Sequence, residues 1–155
     1  MSDQDLQIYH RKLAVSTFNA CWKLIDLPER TTEEALEMIR LAEVSYWHWM
    51  AYDDHTSENE GIGLWQLSRV YALAGQAETS MHYALRYAAL AQEAKLGPFH
   101  EGYASEAKAR ACAVAGDSAS AEKAMGEART LLRQIQDKES RDMLEADLRQ
   151  LAAQR

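Results

Sequence analysis

Apolar residues recur every three to four positions along most of the chain, and the period breaks at a few marked points. Phe18, Trp22 and Ile25 stand at i, i+4 and i+7, so the segment from about Gln4 to Asp26 is read as an amphipathic helix. Pro28 ends it, because proline lacks an amide donor and disfavours helix in the residue before it. Thr31 and Glu34 have capping-box spacing and open a second helix with Ala35, Ile39, Ala42, Tyr46 and Trp49 inward, fading at Tyr52-Asp53-Asp54-His55. Ser57 and Glu60 repeat that signal for a third helix, with Leu64, Leu67, Tyr71 and Ala74 inward and Gly75-Gln76 as the turn. A fourth helix turns in Ala77, Met81, Ala84, Ala88 and Ala91 and stops at Lys95-Leu96-Gly97-Pro98. The fifth, about Phe99 to Ala115, carries Ala104, Ala107, Ala111 and Val114. Gly116 turns the chain, and Asp117 caps a sixth helix with Ala121, Ala124, Ala128, Leu131 and Ile135 inward. After a break near Asp137 a seventh presents Leu144, Leu148 and Leu151.

No window alternates with period two, so no strand is expected. The expected fold is all-α, one domain over 1–155, with helical hairpins over about 4–52, 57–96 and 98–136 and a closing helix over about 138–153.

Composition narrows the classes. At 155 residues with 47% hydrophobic content the chain can bury a core without staples. A net charge of −7 with no Lys/Arg cluster argues against nucleic acid and against an anionic membrane surface. No apolar run approaches the roughly 18 residues of a membrane span, and Met1-Ser2-Asp3-Gln4-Asp5 lacks the layout of a signal peptide. Cys21 and Cys112, two and far apart, read as reduced, buried thiols. Cytoplasmic is therefore the expected location.

The chain also repeats itself. Leu67-Ser-Arg-Val-Tyr-Ala-Leu-Ala-Gly75 matches Lys108-Ala-Arg-Ala-Cys-Ala-Val-Ala-Gly116 in its turn glycine and the apolar residues before it, an offset of 41. Tetratricopeptide repeats carry W-x2-L-G-x2-Y on a first helix and A-x3-F on a second. In the middle hairpin Leu64 takes the tryptophan position with Trp65 beside it, and Leu67 and Tyr71 match. Ser68 replaces the glycine, and Ser80 and Ala84 replace the alanine and phenylalanine. In the third hairpin Ala121 matches and Met125 stands for the aromatic, whereas the first hairpin matches in period only. The chain thus resembles the tetratricopeptide-repeat superfamily, with repeats longer than the standard length of about 34 residues. The resemblance implies a right-handed superhelix of hairpins whose first helices line a concave, ligand-holding surface. An ordinary bundle of six or seven helices is the plainer alternative.

On that surface the stripe beside the helix 3 core is Ile62, Trp65 and Arg69, and a shift of 41 gives Tyr103, Glu106 and Arg110 on helix 5. Side by side, these stripes set Trp65 by Glu106 and Arg69 by Arg110. Two guanidinium forks, an aromatic face and one carboxylate leave surplus positive charge, which suits a small anion or a peptide carboxylate. Helix 1 could add Asn19 and Lys23. The plainer reading is structural, since Glu106 and Arg110 also have the i, i+4 spacing of an intrahelical ion pair.

His48 and Tyr52 lie one turn apart and could reach the same mouth. His48 with Asp54 and His55 offers zinc- or iron-type donors, but the three straddle a helix end without fixed metal-site spacing. His10, His82 and His100 stand isolated in sequence. No Gly-rich phosphate loop, nucleophile elbow or paired-cysteine motif is present, so no catalytic residue, metal or cofactor is assigned. The leading expectation is a non-catalytic binding module for a peptide, protein or small anionic ligand, held by Trp65, Arg69, Tyr103, Glu106, Arg110 and His48. A homodimeric assembly protein using the aromatic residues of helices 1 and 2 is the alternative, and a small metal-dependent enzyme the third.

Overall fold

The computed structural model describes residues 1–154; Arg155, the last position of the expected domain, lies outside them. Among the described residues the fold is all-α, with seven helices and no strand. They are α1 (Asp3–Ile25), α2 (Thr32–Ala51), α3 (Ser57–Leu73), α4 (Ala77–Glu93), α5 (Pro98–Val114), α6 (Ser118–Leu132) and α7 (Lys138–Ala153). Among the described residues no helix is long and apolar enough to cross a membrane.

Local chemistry sets the ends. Thr31 with Glu34 closes a reciprocal capping box on α2, and Asp117 and Asp137 each accept an amide at the start of α6 and α7. On α3 the box forms one residue earlier than expected, between Thr56 and Asn59 rather than Ser57 and Glu60. Both pairs have cap spacing, and Asn59 reaches the cap amide as well as a glutamate would. α3 and α5 end alike: Gly75 and Gly116 take φ of 77° and 78°. The next amides, of Gln76 and Asp117, return 2.9 Å bonds to the carbonyls of Tyr71 and Cys112.

α1 and α2 pair antiparallel. The Ser45 hydroxyl donates to the Ala14 carbonyl at 2.8 Å, and the Cys21 thiol donates to the Met38 carbonyl at 3.3 Å. α3 pairs with α4 through Ser68 and Ser80, each hydroxyl donating to the other residue's carbonyl at 2.9 and 2.8 Å. α5 packs on α4, α6 and α7 and also touches α3, and α2 lies against α3. α3 and α5 are therefore enclosed: Gly63–Val70 and Gly102–Ala107 are unbroken buried runs.

The buried stripes differ from the periodic reading where a helix has two neighbours. On α2 the fully buried residues are Met38, Ala42 and Ser45, while Ala35, Ile39, Tyr46 and Trp49 are half-buried because the helix faces both α1 and α3. On α4, Ser80 and Tyr87 join Ala84 and Ala91 inside, and Ala77, Met81 and Ala88 sit at the edge. Val114, expected inward, is exposed. Cys21 is buried, and burial pushes its thiol up to about 12, but Cys112 is only partly covered.

Candidate functional site: a buried carboxylate beneath an aromatic cleft

α3 and α5 lie side by side with their 41-residue offset in register. The Trp65 indole N–H donates to Glu106 Oε2 at 3.0 Å, and Arg110 Nε donates to Glu106 Oε1 on the same helix. Arg69 Nη1 stands 3.7 Å from Glu106 Oε1, an ion pair beyond hydrogen-bond reach. Glu106 has no exposed surface. It is a carboxylate held inside the protein by one neutral and two cationic partners, the condition under which a buried charge is tolerated.

α7 supplies what the sequence did not point to. Its Asp147 accepts the Tyr103 hydroxyl at 2.6 Å and lies 4.0 Å from Arg110 Nη2, while Gln150 Oε1 accepts from Arg69 Nη2 at 3.4 Å. Two guanidinium groups thus face two carboxylates, and the surplus positive charge expected from the sequence is offset by Asp147. Burial, then the adjacent Arg110 charge, pulls the Arg69 guanidinium below its ordinary value. Burial, then the bond to Asp147, pushes the Tyr103 phenol well above its ordinary value, so it remains a donor.

Above this network the aromatic rings leave a cleft of about 250 Å³ lined by Phe18, Trp22, Ile62, Trp65, Tyr87, Phe99 and Tyr103, with Met143 and Asp147 at its rim. Trp65 is its floor. Its ring lies 5.5 Å from that of Trp22 and meets Tyr103 edge-on at 5.4 Å, and the Arg69 guanidinium sits 5.9 Å from its centroid. Trp65 therefore carries an apolar face for the cleft and a polar edge tied to Glu106.

Five expected site residues, Trp65, Arg69, Tyr103, Glu106 and Arg110, come together here. His48 does not. It lies on the first hairpin with its Nδ1 2.9 Å from His10 Nδ1, an arrangement in which one ring must accept and is therefore neutral there. Asn19 and Lys23 are exposed, and α1 contributes Phe18 and Trp22 instead, two residues that periodicity assigned to packing. His10 and His100 are not isolated in space: His10 meets His48, and His100 Nδ1 lies 2.7 Å from the Tyr87 hydroxyl. His55 contacts the Tyr52 carbonyl, and no group of three or more metal-ligating side chains forms among the described residues. Met143 and Asp147, at i and i+4 on an amphipathic helix, carried no signal beyond that of an exposed face.

Each Glu106 oxygen accepts one hydrogen bond and Glu106 does not line the cleft, whose walls offer apolar contact with one carboxylate at the edge. No family model, curated protein or solved structure matches the chain.

Proposed function

We propose that the protein is a non-catalytic binding module, tetratricopeptide-repeat-like in build, that holds a peptide segment by taking one of its apolar side chains into the cleft over Trp65. The cleft carries this reading. At about 250 Å³ it falls below the roughly 300–1,000 Å³ of sites for drug-sized molecules and suits a single side chain. Asp147 at the rim suits a peptide N–H or a neighbouring Lys or Arg. The sequence offset of 41 and the α3–α5 contact support a repeat build with its ligand surface on the first helices of the hairpins.

The test uses the indole N–H resonances of ¹⁵N-labelled protein, titrated with acetylated, amidated tripeptides centred on Phe, Leu or Ala. The Phe and Leu peptides are expected to move the Trp65 and Trp22 signals, the Ala peptide far less, and Met143→Arg at the rim to abolish the response. Trp65 and Trp22 signals that stay fixed with all three peptides would sink the reading.

A second reading rests on Arg69. Its side chain is only 9% exposed, and its Nε and Nη1 have no hydrogen-bond partner among the described residues. They stand beside a smaller cleft of about 200 Å³ that Arg110 shares. A peptide carboxylate or small anion would satisfy them. Acetate at tens of millimolar should then shift the Arg69 Nε–H resonance, and a silent titration removes this reading.

A further inference from the structure

The two outer sides of the hairpin row are finished differently. On the α5–α6 side α7 lies across the hairpin and buries Leu144, Leu148 and Leu151. No described helix covers the first hairpin in that way, and it keeps Leu6, Tyr9 and Leu13 of α1 and Val44 and Trp47 of α2 between 40% and 62% exposed. These residues form seams. Leu6, Tyr9 and Leu13 are spaced by three and four, Ser16 and Thr17 interrupt the series before Ala20, and Val44 and Trp47 stand three apart on α2. An average step of 3.5 residues is the period of helices that pack lengthwise on another helix. The seams also adjoin: the Trp47 ring lies 5.6 Å from His10, which joins His48 across the hairpin.

We propose that this face is a homodimer interface, in which a second copy of the chain lays its α1 antiparallel on this α1 about a two-fold axis, with Trp47 and Val44 of each copy closing the sides. This inference does not rest on the cleft or its ligand. Large side chains at about half exposure leave on the order of 500 Å² of apolar surface in this one patch. That is most of the roughly 800 Å² per partner of a standard interface, and the polar border supplies the remainder. A two-fold axis requires the same surface on both copies, and one seam per helix satisfies that requirement. Charge selects the direction. Asp3 and Asp5 occupy the first turn of α1 and Lys23 its last, so antiparallel packing sets acidic end against basic end, while parallel packing sets like against like. The helix dipoles favour the same choice.

Sedimentation equilibrium of the full chain decides it. At about 50 µM, well above the micromolar constants of weak standard-size interfaces, the expected mass is twice the 17.5 kDa of one chain. Leu13→Glu with Trp47→Glu is expected to return the single-chain mass with unchanged far-UV circular dichroism. Leu6→Lys with Val44→Lys is the second pair, should the first lose helicity. Leu85→Glu, an exposed apolar site on α4, should leave the dimer intact. A monomeric wild type overturns the proposal and leaves the face to a different protein, and a dimer that persists in a folded seam variant overturns the assignment of the face.

Discussion

The second and third hairpins, 41 residues apart, share a frame and differ in what it holds. Gly61 and Gly102 correspond, and each admits a close neighbour: a methyl on Gly61 would stand 2.8 Å from the Tyr87 ring, and one on Gly102 2.7 Å from Leu144. Gly75 and Gly116 end α3 and α5 with the same turn, and Arg69 and Arg110 enter the same network. The contents diverge at Trp65 and Glu106, and at Ser68 and Ser80, whose counterparts are Ala109 and Ala121. All four of these small side chains are buried. A close helix approach is therefore met once by reciprocal hydrogen bonds and once by methyl packing. The divergence at 65 and 106 does more, because one repeat presents an N–H and the next a carboxylate at matching places, and the two repeats join through that bond. Identical repeats would set like against like there.

Breaking that junction should have the largest effect. Glu106→Ala leaves two buried guanidinium groups short of their counter-charge and is expected to cost about 3–5 kcal/mol in urea unfolding. Trp65→Phe keeps the ring and removes the donor, stranding Glu106 Oε2, for a loss of about 1–3 kcal/mol and a changed cleft floor. If both substitutions cost less than about 0.5 kcal/mol, the Trp65–Glu106 junction does not hold the hairpins together.

The serine pair sharpens the contrast. Ser68→Ala alone removes the bond to the Ser80 carbonyl, while the Ser80 hydroxyl keeps its own bond to the carbonyl of residue 68, and should cost about 1 kcal/mol. Adding Ser80→Ala recreates the third hairpin's arrangement and should add a second loss of about 1 kcal/mol, short of strict additivity by the 3.2 Å hydroxyl–hydroxyl contact that the first change already removes. Strictly additive losses would mean that the two hydroxyls act independently.

The helix ends offer a smaller effect of opposite sign. α4 closes with the same bond as α3 and α5, from the Leu96 amide to the Ala91 carbonyl, but its left-handed residue is Lys95, at φ 53°. Lys95→Gly should stabilise by about 0.5–1 kcal/mol, whereas Gly75→Ala should destabilise by a similar amount. A loss on Lys95→Gly would show that the lysine side chain matters more than its backbone strain.

Smallest per group is the response to acid. Burial lowers His100, at the α4–α5 junction, and burial with the nearby His10 lowers His48. Each imidazole is therefore less protonated when folded than unfolded, so stability is full above about 6.5 and falls as pH drops below it. His100→Gln should flatten that fall between neutral pH and pH 5, and an unchanged slope would place the acid sensitivity elsewhere.

The periodic spacing of apolar residues, the Thr31–Glu34 cap and the turn glycines made all seven helices legible, because these signals act within a few residues. The 41-residue echo even placed Trp65 opposite Glu106. Phe18 and Trp22 were read as packing because a cleft wall and a core contact have the same helical period. His48 pairs with His10 on α1 and does not line the cleft, because α2 packs on both α1 and α3 and the period alone does not say which neighbour a position meets.

Local order and the wish to pack helices lengthwise thus reside in the residues themselves, through hydrogen-bonded turns and amphipathic period. Whether two arginines stand by themselves or share a network with two carboxylates depended on where α7 came to rest. No spacing encodes that contact, since Arg110 and Asp147 lie far apart in the chain and meet only because Leu144, Leu148 and Leu151 bury their surface against α5 and α6. The hydrophobic drive that seats α7 is general and undirected, so only the packed structure reveals which polar groups it brings together.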